Sequence, residues 1–136
     1  KLKTYSWLPL KPKDQISESS ERRIQTAVNN RLGSKGYKLV SKNPDFSIAA
    51  KVGTKDEYWY GSGYYGYRYA HKIAAGTLLL DFVIPREYRL IWRGEAVAVL
   101  DDSYSSEKLD KLVIEAVEKI LKEFPPPSSR ELPYGF

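Results

Sequence analysis

The sequence lacks cysteine and methionine altogether and contains a single histidine, His71, among its 136 residues. The absence of cysteine excludes structural disulfides, thiolate zinc sites and cysteine nucleophiles from this chain. A single histidine excludes metal sites that need several imidazole ligands. Because there is no methionine, Lys1 is not a natural start, and we expect the chain to be a processed or truncated product.

Long apolar runs are also missing, since no stretch approaches the roughly 18 consecutive apolar residues that a membrane-spanning helix requires. Any signal peptide or anchor would therefore precede Lys1. Hydrophobic residues make up 42% of the chain, which is typical of a single globular domain. The net charge of +5 comes from lysines and arginines spread along the chain rather than from a basic stripe, so we expect no nucleic-acid partner.

Motifs that carry catalysis or bind phosphate are absent as well. There is no Gly-x-Ser-x-Gly nucleophile elbow, no Gly-x-Gly-x-x-Gly after a strand and no phosphate-binding Gly-Lys-Ser/Thr loop. The acidic pairs Asp56-Glu57 and Asp101-Asp102 lie in predicted loops, where capping or solvation explains them better than a glycosidase cleft does. We therefore expect no catalytic residues, no metal and no cofactor, and we predict that the protein is not an enzyme.

Hydrophobic periodicity predicts an α+β fold with the element order β-α-β-β-β-α. Gly33 and Gly36 are expected to end the first helix, and the prolines from Pro125 onward to end the second. This order favours a mainly antiparallel sheet of about four strands with two helices packed on one face. We expect one domain over residues 1–124 and a proline-rich tail over 125–136. The predicted elements are strands at about 3–8, 46–52, 76–84 and 89–100, a short extended piece at 37–40, and helices at about 18–32 and 106–124.

The last two predicted strands form a hairpin whose register follows from their apolar residues, because a slip of one residue would move every core side chain to the other face. The favoured register pairs Leu78 with Ala96, Phe82 with Trp92, and Ile84 with Leu90. It also sets Asp81 opposite Arg93. We predict a structural ion pair there, worth about 0.2–1 kcal/mol.

The opposite face of this hairpin is more apolar than a sheet face in contact with water should be. Five of its side chains are apolar: Leu79, Val83, Ile91, Val97 and Val99. We therefore expect a loop of this chain, a second subunit or a partner to cover part of this face.

A tyrosine-rich segment, residues 58–69, holds six of the eleven tyrosines together with several glycines. One interpretation is a hairpin loop whose aromatic side chains pack on their own sheet. The other is a recognition loop, because tyrosine and glycine together provide aromatic area and conformational adaptability. The candidate contact residues are Tyr58, Trp59, Tyr60, Tyr64, Tyr65, Tyr67, Arg68 and Tyr69.

Seven motifs also occur in the order found in one known family. They are 3-KTYSWLP-9, 35-KGY-37, 43-NPD-45, the tyrosine-rich insert, 76-GTLLLD-81, 90-LIWRG-94 and 116-AVEKILKEFPP-126. Over Lys1–Pro126 the chain resembles the bacterial domain-of-unknown-function family 4136, whose members are mostly predicted envelope lipoproteins. The resemblance implies a signal peptide and a lipid-bearing cysteine upstream of Lys1, with the domain in the periplasm and anchored to the outer membrane. The family has no established catalytic residues, so none is carried over.

Three functions remain open from the sequence, with an enzyme as a fourth alternative. The first is a non-enzymatic envelope domain that binds another envelope component through the tyrosine-rich segment or the outer sheet face. The second is a structural homo-oligomer that uses the same apolar face. The third is a glycan- or peptidoglycan-binding module in which tyrosines stack on sugars. In each case we expect contact with the membrane only through the implied N-terminal lipid anchor.

Overall fold

The computed structural model describes residues 2–9, 17–59, 71–101 and 103–126. Most of the predicted proline-rich tail lies outside these ranges. In the described residues, no helix is long and apolar enough to cross a membrane. The elements are β1 (Thr4–Trp7), α1 (Glu18–Ser34), β2 (Lys38–Leu39), β3 (Phe46–Val52), β4 (Glu57–Trp59), β5 (His71–Ile73), β6 (Thr77–Ile84), β7 (Arg89–Val97) and α2 (Ser106–Leu121).

The main sheet has five strands in the order β2-β1-β3-β6-β7, and β4 and β5 form a separate two-stranded sheet. The predicted α+β class is confirmed, but the mainly antiparallel four-stranded sheet is wrong. The strand β1 runs parallel to both β2 and β3, whereas β3, β6 and β7 are antiparallel, so the sheet is mixed. The physical reason is the connection through α1, because a crossover helix returns the chain beside β1 in the same direction.

Both helices pack on one face of the main sheet, which we call the inner face. Their buried side chains join the inner-face residues of the strands in one large core. An aromatic cluster lies at its centre, where the ring of Phe124, which follows α2, is 4.5 Å from Phe82 and 5.1 Å from Trp92 between centroids. Phe46 stacks on Phe82 at 5.1 Å. These contacts bury large aromatic area and fix the end of α2 to the centre of the sheet.

The helix boundaries follow from their caps. The hydroxyls of Ser17 and Ser105 accept hydrogen bonds from the backbone N–H groups three residues later, at Ser20 and Lys108, which satisfies donors that the first turn leaves free. The predicted end of α1 at Gly33 is wrong, because the helix continues through this residue to Ser34. Gly36, with φ at 95°, provides the left-handed conformation that ends it.

The predicted register of the β6–β7 hairpin holds along most of its length, with Leu78 opposite Ala96 and Phe82 opposite Trp92. A register shift after Phe82 then sets Val83 opposite Leu90 and Ile84 opposite Arg89, so the predicted pair of Ile84 with Leu90 is wrong. The extra residue on β7 is Ile91. Its side chain joins the inner core instead of the outer face, as expected when a bulge changes the alternation of a strand.

Asp45, which directly precedes β3, forms hydrogen bonds to the start of β1. Its carboxylate accepts hydrogen bonds from the backbone N–H groups of Lys3, at 2.7 Å, and Thr4, at 3.0 Å. These two bonds stabilise the charged form and lower the pKa of Asp45 below its usual 3.8.

This lowered pKa predicts a loss of stability in acid. Because the folded-state pKa lies below the unfolded one, the contribution of the carboxylate is complete above pH 3.8 and disappears as the pH falls through the folded-state value. We expect Asp45→Asn to unfold more easily than the wild type at pH 6, and the difference to shrink towards pH 2. Urea unfolding across this range measures it, and a difference that stays constant with pH would contradict the assignment.

Candidate functional site

The β4–β5 hairpin packs on the outer face of the main sheet, opposite the helices. Its two strands are antiparallel, with Trp59 opposite His71. The buried side chains of Trp59 and Ile73 form an apolar cluster with Leu79 of β6. Leu79 points away from the inner core, because its neighbours Leu78 and Leu80 both belong to that core and side chains alternate along a strand. The hairpin therefore covers the centre of the outer face.

This arrangement explains part of the apolar character that the sequence assigned to this face. Leu79 is covered by the hairpin, and Val83 packs with Leu8, Ala49 and Leu90. The bulge turns Ile91 to the inner core. The remaining two of the five residues stay exposed: Val97 at 75% and Val99 at 50% of their surface. Three of the five are thus buried by the chain itself.

Beneath the hairpin lies a buried ion pair. The guanidinium of Arg93 donates two hydrogen bonds to the carboxylate of Asp81, from Nε at 2.7 Å and from Nη2 at 3.1 Å. The predicted pair is therefore present, but its side chains are only 3% and 0% exposed, whereas the sequence argument gave it the energy of a surface pair. A buried pair costs much more to desolvate, and losing one partner leaves an uncompensated charge.

Trp59 connects this pair to the hairpin. Its indole Nε1 donates a long hydrogen bond of 3.5 Å to Oδ2 of Asp81. The ammonium group of Lys51, on β3, lies 5.1 Å from the centroid of the Trp59 ring, within the range of a cation–π interaction. The same ammonium is 3.4 Å from the carboxylate of Glu57 on β4. One tryptophan thus contacts apolar, cationic and anionic groups of the sheet.

The second strand of the hairpin is attached in the same way. Nε2 of His71 lies 2.7 Å from a carboxylate oxygen of Glu95 on β7. Each strand of the hairpin therefore has its own polar contact with the main sheet, through Glu57 in β4 and His71 in β5. Because both contacts flank the apolar cluster, they fix the position of the hairpin across the face.

Gly53 allows the chain to approach closely enough for this packing. A Cβ atom at this position would lie 2.5 Å from the carbonyl oxygen of Ala74 and 2.8 Å from Cγ2 of Ile73. The backbone N–H of Gly53 donates to the carbonyl of Thr77 at 2.8 Å, and its carbonyl accepts from Gly76 at 2.7 Å. A side chain here would push the base of the hairpin away from β6.

The sequence-predicted contact residues divide into three groups. Tyr58 is 60% exposed, and Trp59 on the opposite side of the same strand is only 4% exposed. The others fall outside the described residues: Tyr60, Tyr64, Tyr65, Tyr67, Arg68 and Tyr69. Trp59 and His71 form the last described pair of the hairpin.

Sequence reasoning did not predict the contacts that Lys51, Glu57 and Glu95 make between the main sheet and the β4–β5 hairpin. A signal existed for Lys51, which is the one charged residue of a mostly apolar strand and is buried in the structure. For Glu57 and Glu95 there was none, because their role depends on how the hairpin folds back. Within the part of the chain that the structure describes, no group of three or more potential metal-binding side chains occurs.

The fold and the outer face define a class of protein. It is a two-layer α+β domain whose sheet is covered by two helices on the inner face and by a packed β-hairpin on the outer face. The chain belongs to the family described as domain of unknown function DUF4136, whose model matches residues 1–126. The resemblance seen in the sequence motifs is therefore confirmed.

Two solved structures share similarity with the chain. A PDZ domain protein from Parabacteroides distasonis has 16% sequence identity and a TM-score of 0.57, over 93% of this chain and 32% of that one, so the chain spans about a third of that protein's length. A minor lipoprotein from Acinetobacter baumannii has 12% identity and a TM-score of 0.42, over 96% of this chain and 94% of that one. No curated protein matches the sequence.

Proposed function

We propose that this protein is a non-enzymatic binding domain of the bacterial cell envelope, and that its hairpin face contacts another envelope protein. The hairpin face consists of β4, β5, Val97 at the end of β7, and Val99 two residues beyond it. The proposal rests on the contacts that attach the β4–β5 hairpin to the main sheet. Buried contacts through Trp59 and polar contacts through Glu57 and His71 give a fixed base to the tyrosine-rich segment. A fixed base lowers the entropy that a binding loop loses on association.

The exposed composition of this face supports a protein as the partner. Tyr58 exposes an aromatic ring, and Lys72, its cross-strand partner, adds a charge beside it. Val97 lies two residues beyond Glu95 on β7, which places aliphatic surface near the contact of Glu95 with His71. A mixture of aromatic and aliphatic area with a polar surround is characteristic of protein interfaces. We expect the six aromatic and basic residues of the segment beyond Trp59 to extend this contact.

The envelope location is part of the same proposal, and membership of the DUF4136 family supports it. As the resemblance implies, a lipid-bearing cysteine upstream of Lys1 would hold the domain in the periplasm at the outer membrane. The partner would then be a periplasmic protein or the periplasmic part of a membrane protein. Detection of a lipid-modified N-terminus by mass spectrometry of the protein purified from its native envelope is the corresponding check.

Site-specific photo-cross-linking in living cells tests the contact surface. A photoreactive residue replaces Tyr58 or Val97 in one series and Lys111, which is exposed on α2, in the control. We expect positions 58 and 97 to give one discrete adduct with the same envelope protein, and position 111 to give none. Changing Tyr64, Tyr65 and Tyr67 to serine should reduce the yield of this adduct. Equal adducts from all three positions, or none from the hairpin face, would contradict the proposal.

The exposure of Val97 and Val99 favours one alternative, a homo-oligomer formed through the end of β7. Sedimentation velocity at micromolar concentrations distinguishes it, since a species that stays monomeric excludes it.

The remaining alternative is a glycan-binding module that uses the tyrosines. Titration with soluble muropeptides, followed by chemical shifts of the hairpin, would support it only if Tyr58 and its neighbours respond.

A further inference from the structure

A cleft of about 780 Å³ lies on the inner side of the sheet, at the end of the molecule where both helices finish. The turn after α1 supplies Lys35 and Tyr37, and the segment after α2 supplies Phe124 to Pro126. The sheet contributes Ile84 and Trp92 from β6 and β7. The volume is within the range of sites for small molecules, about 300–1,000 Å³. None of these residues belongs to the hairpin face.

The walls of the cleft are apolar and aromatic. Trp92 and Phe124 are buried members of the aromatic cluster, so they form a rigid inner wall. Tyr37 packs edge-on against Phe46 of the same cluster, and its partial burial raises the pKa of its hydroxyl, which therefore stays neutral. Ile84 remains partly exposed at the turn end of the β6–β7 hairpin. An apolar ligand would find a preformed surface here.

The rim of the cleft is basic. Lys3, Lys35 and Arg89 line it, and no acidic residue belongs to its lining. Arg89 donates from Nε to Glu87 at 3.0 Å, which offsets one of the three charges. Among the residues that the structure describes, neither lysine has an ion-pair partner.

The nearby helix ends reduce this positive charge but do not cancel it. The C-terminus of a helix is equivalent to roughly half a negative charge, so the two ends of α1 and α2 offset about one further cation. The carbonyl groups of the last turn of α1 already accept hydrogen bonds from Lys35, Gly36 and Tyr37, which reduces their pull on a distant cation. The carboxylate of Asp45, which accepts a hydrogen bond from the backbone N–H of Lys3, offsets a further positive charge. Selection for an anion therefore depends on direct contact with the two lysine ammonium groups at the rim.

We infer that this cleft binds a single-chain amphiphile with an anionic headgroup. Its acyl chain lies along Tyr37, Ile84 and Trp92, and its headgroup is held by Lys3 and Lys35. The apolar wall alone would accept a neutral chain equally well, so the two lysines of the rim are the residues that select for negative charge. This site is independent of the proposed contact on the hairpin face.

Titration of the full chain with decanoate and with decanol, followed by amide chemical shifts, tests the site. We expect decanoate to shift the resonances of residues 35–37 and 84–92 and to bind about tenfold more tightly than decanol, as a hydrogen bond to a charged group would give. The double variant Lys3→Gln and Lys35→Gln should lose this preference. The matched control, Lys111→Gln with Lys119→Gln, removes the same charge from the exposed side of α2 and should retain it.

Several results would overturn the inference. Equal affinity for the acid and the alcohol would show that charge plays no part, and shifts confined to the hairpin face would show that the cleft is not the site. Residues 127–136 follow directly on Pro126, so the same titration on the full chain with Leu132, Tyr134 and Phe136 changed to serine tests a competing occupant. If decanoate binds only to that variant, the chain's own tail fills the cleft and the inference is wrong.

Discussion

Replacing Asp81 with alanine is expected to destabilise the protein by about 3–5 kcal/mol, because it removes the carboxylate that accepts two hydrogen bonds from the buried guanidinium of Arg93. Both side chains are nearly inaccessible to water, so solvent cannot take over the role of the missing partner. A typical domain has only about 5–15 kcal/mol of stability, and the change therefore removes a large fraction of it. Urea unfolding followed by circular dichroism measures the loss.

Two controls distinguish the cost of breaking a buried ion pair from the cost of breaking an ion pair at the surface. Asp110→Ala breaks the ion pair with Arg23, in which the carboxylate is 55% exposed, and should cost no more than about 1 kcal/mol. The double change Asp81→Leu with Arg93→Met removes both charges and should recover much of the loss, since apolar replacement of a buried pair is often tolerated. If Asp81→Ala costs no more than Asp110→Ala, burial does not increase the contribution of the Asp81–Arg93 pair to stability.

Replacing Trp59 with alanine is expected to cost a similar amount, about 3–5 kcal/mol, as large-to-small changes at buried aromatic residues do. The indole fills the space over Leu79, contacts the ammonium of Lys51 and reaches the carboxylate of Asp81. Its loss therefore opens a cavity and also removes the cover from the buried ion pair. The free energy of unfolding from urea titration measures the effect.

Tyr58 is the matched control, because it is the neighbouring aromatic residue on the same strand and is 60% exposed. Tyr58→Ala should change the free energy of unfolding by no more than about 0.5 kcal/mol, as expected for a surface position. If Trp59→Ala and Tyr58→Ala have the same free energy of unfolding, Trp59 does not stabilise the packing of the hairpin on the sheet.

The elements with the strongest periodicity could be predicted from the sequence. The final helix has apolar residues at helical spacing over four turns, and its predicted span and its position in the core agree with the structure. The pairing of Asp81 with Arg93 could be predicted because the apolar residues on both strands of the hairpin permit only one register. In both cases one repeated pattern determines many contacts at once.

The differences arise where an element depends on distant contacts. The predicted extended piece at 37–40 contains β2, but the parallel pairing of β1 with β2 and β3 depends on where α1 returns the chain, which no local pattern encodes. The register shift at Phe82 depends on the tight turn at Tyr88, with φ at 50°, and on the space available to Ile91 in the inner core. Neither can be judged from hydrophobicity alone.

The candidate site was predicted only in part for the same reason. The sequence identified the tyrosine-rich segment by its composition, but it grouped Trp59 with the contact residues, and the structure buries this side chain in the sheet. Strand alternation could have separated Trp59 from Tyr58 if β4 had been recognised. It was not, because β4 and β5 have three residues each and owe their stability to the outer face.

Amide hydrogen exchange of β4 and β5 tests most directly whether the hairpin is a fixed part of the outer face. In the wild type we expect these amides to be protected by at least about 100-fold, because packing on Leu79 and the contacts of Glu57 and His71 oppose local opening. In Trp59→Ala the protection of the hairpin should fall close to that of an unfolded chain, while the amides of β3 and β6 keep measurable protection. Unprotected hairpin amides in the wild type would contradict a fixed hairpin and remove the basis for the proposed contact surface.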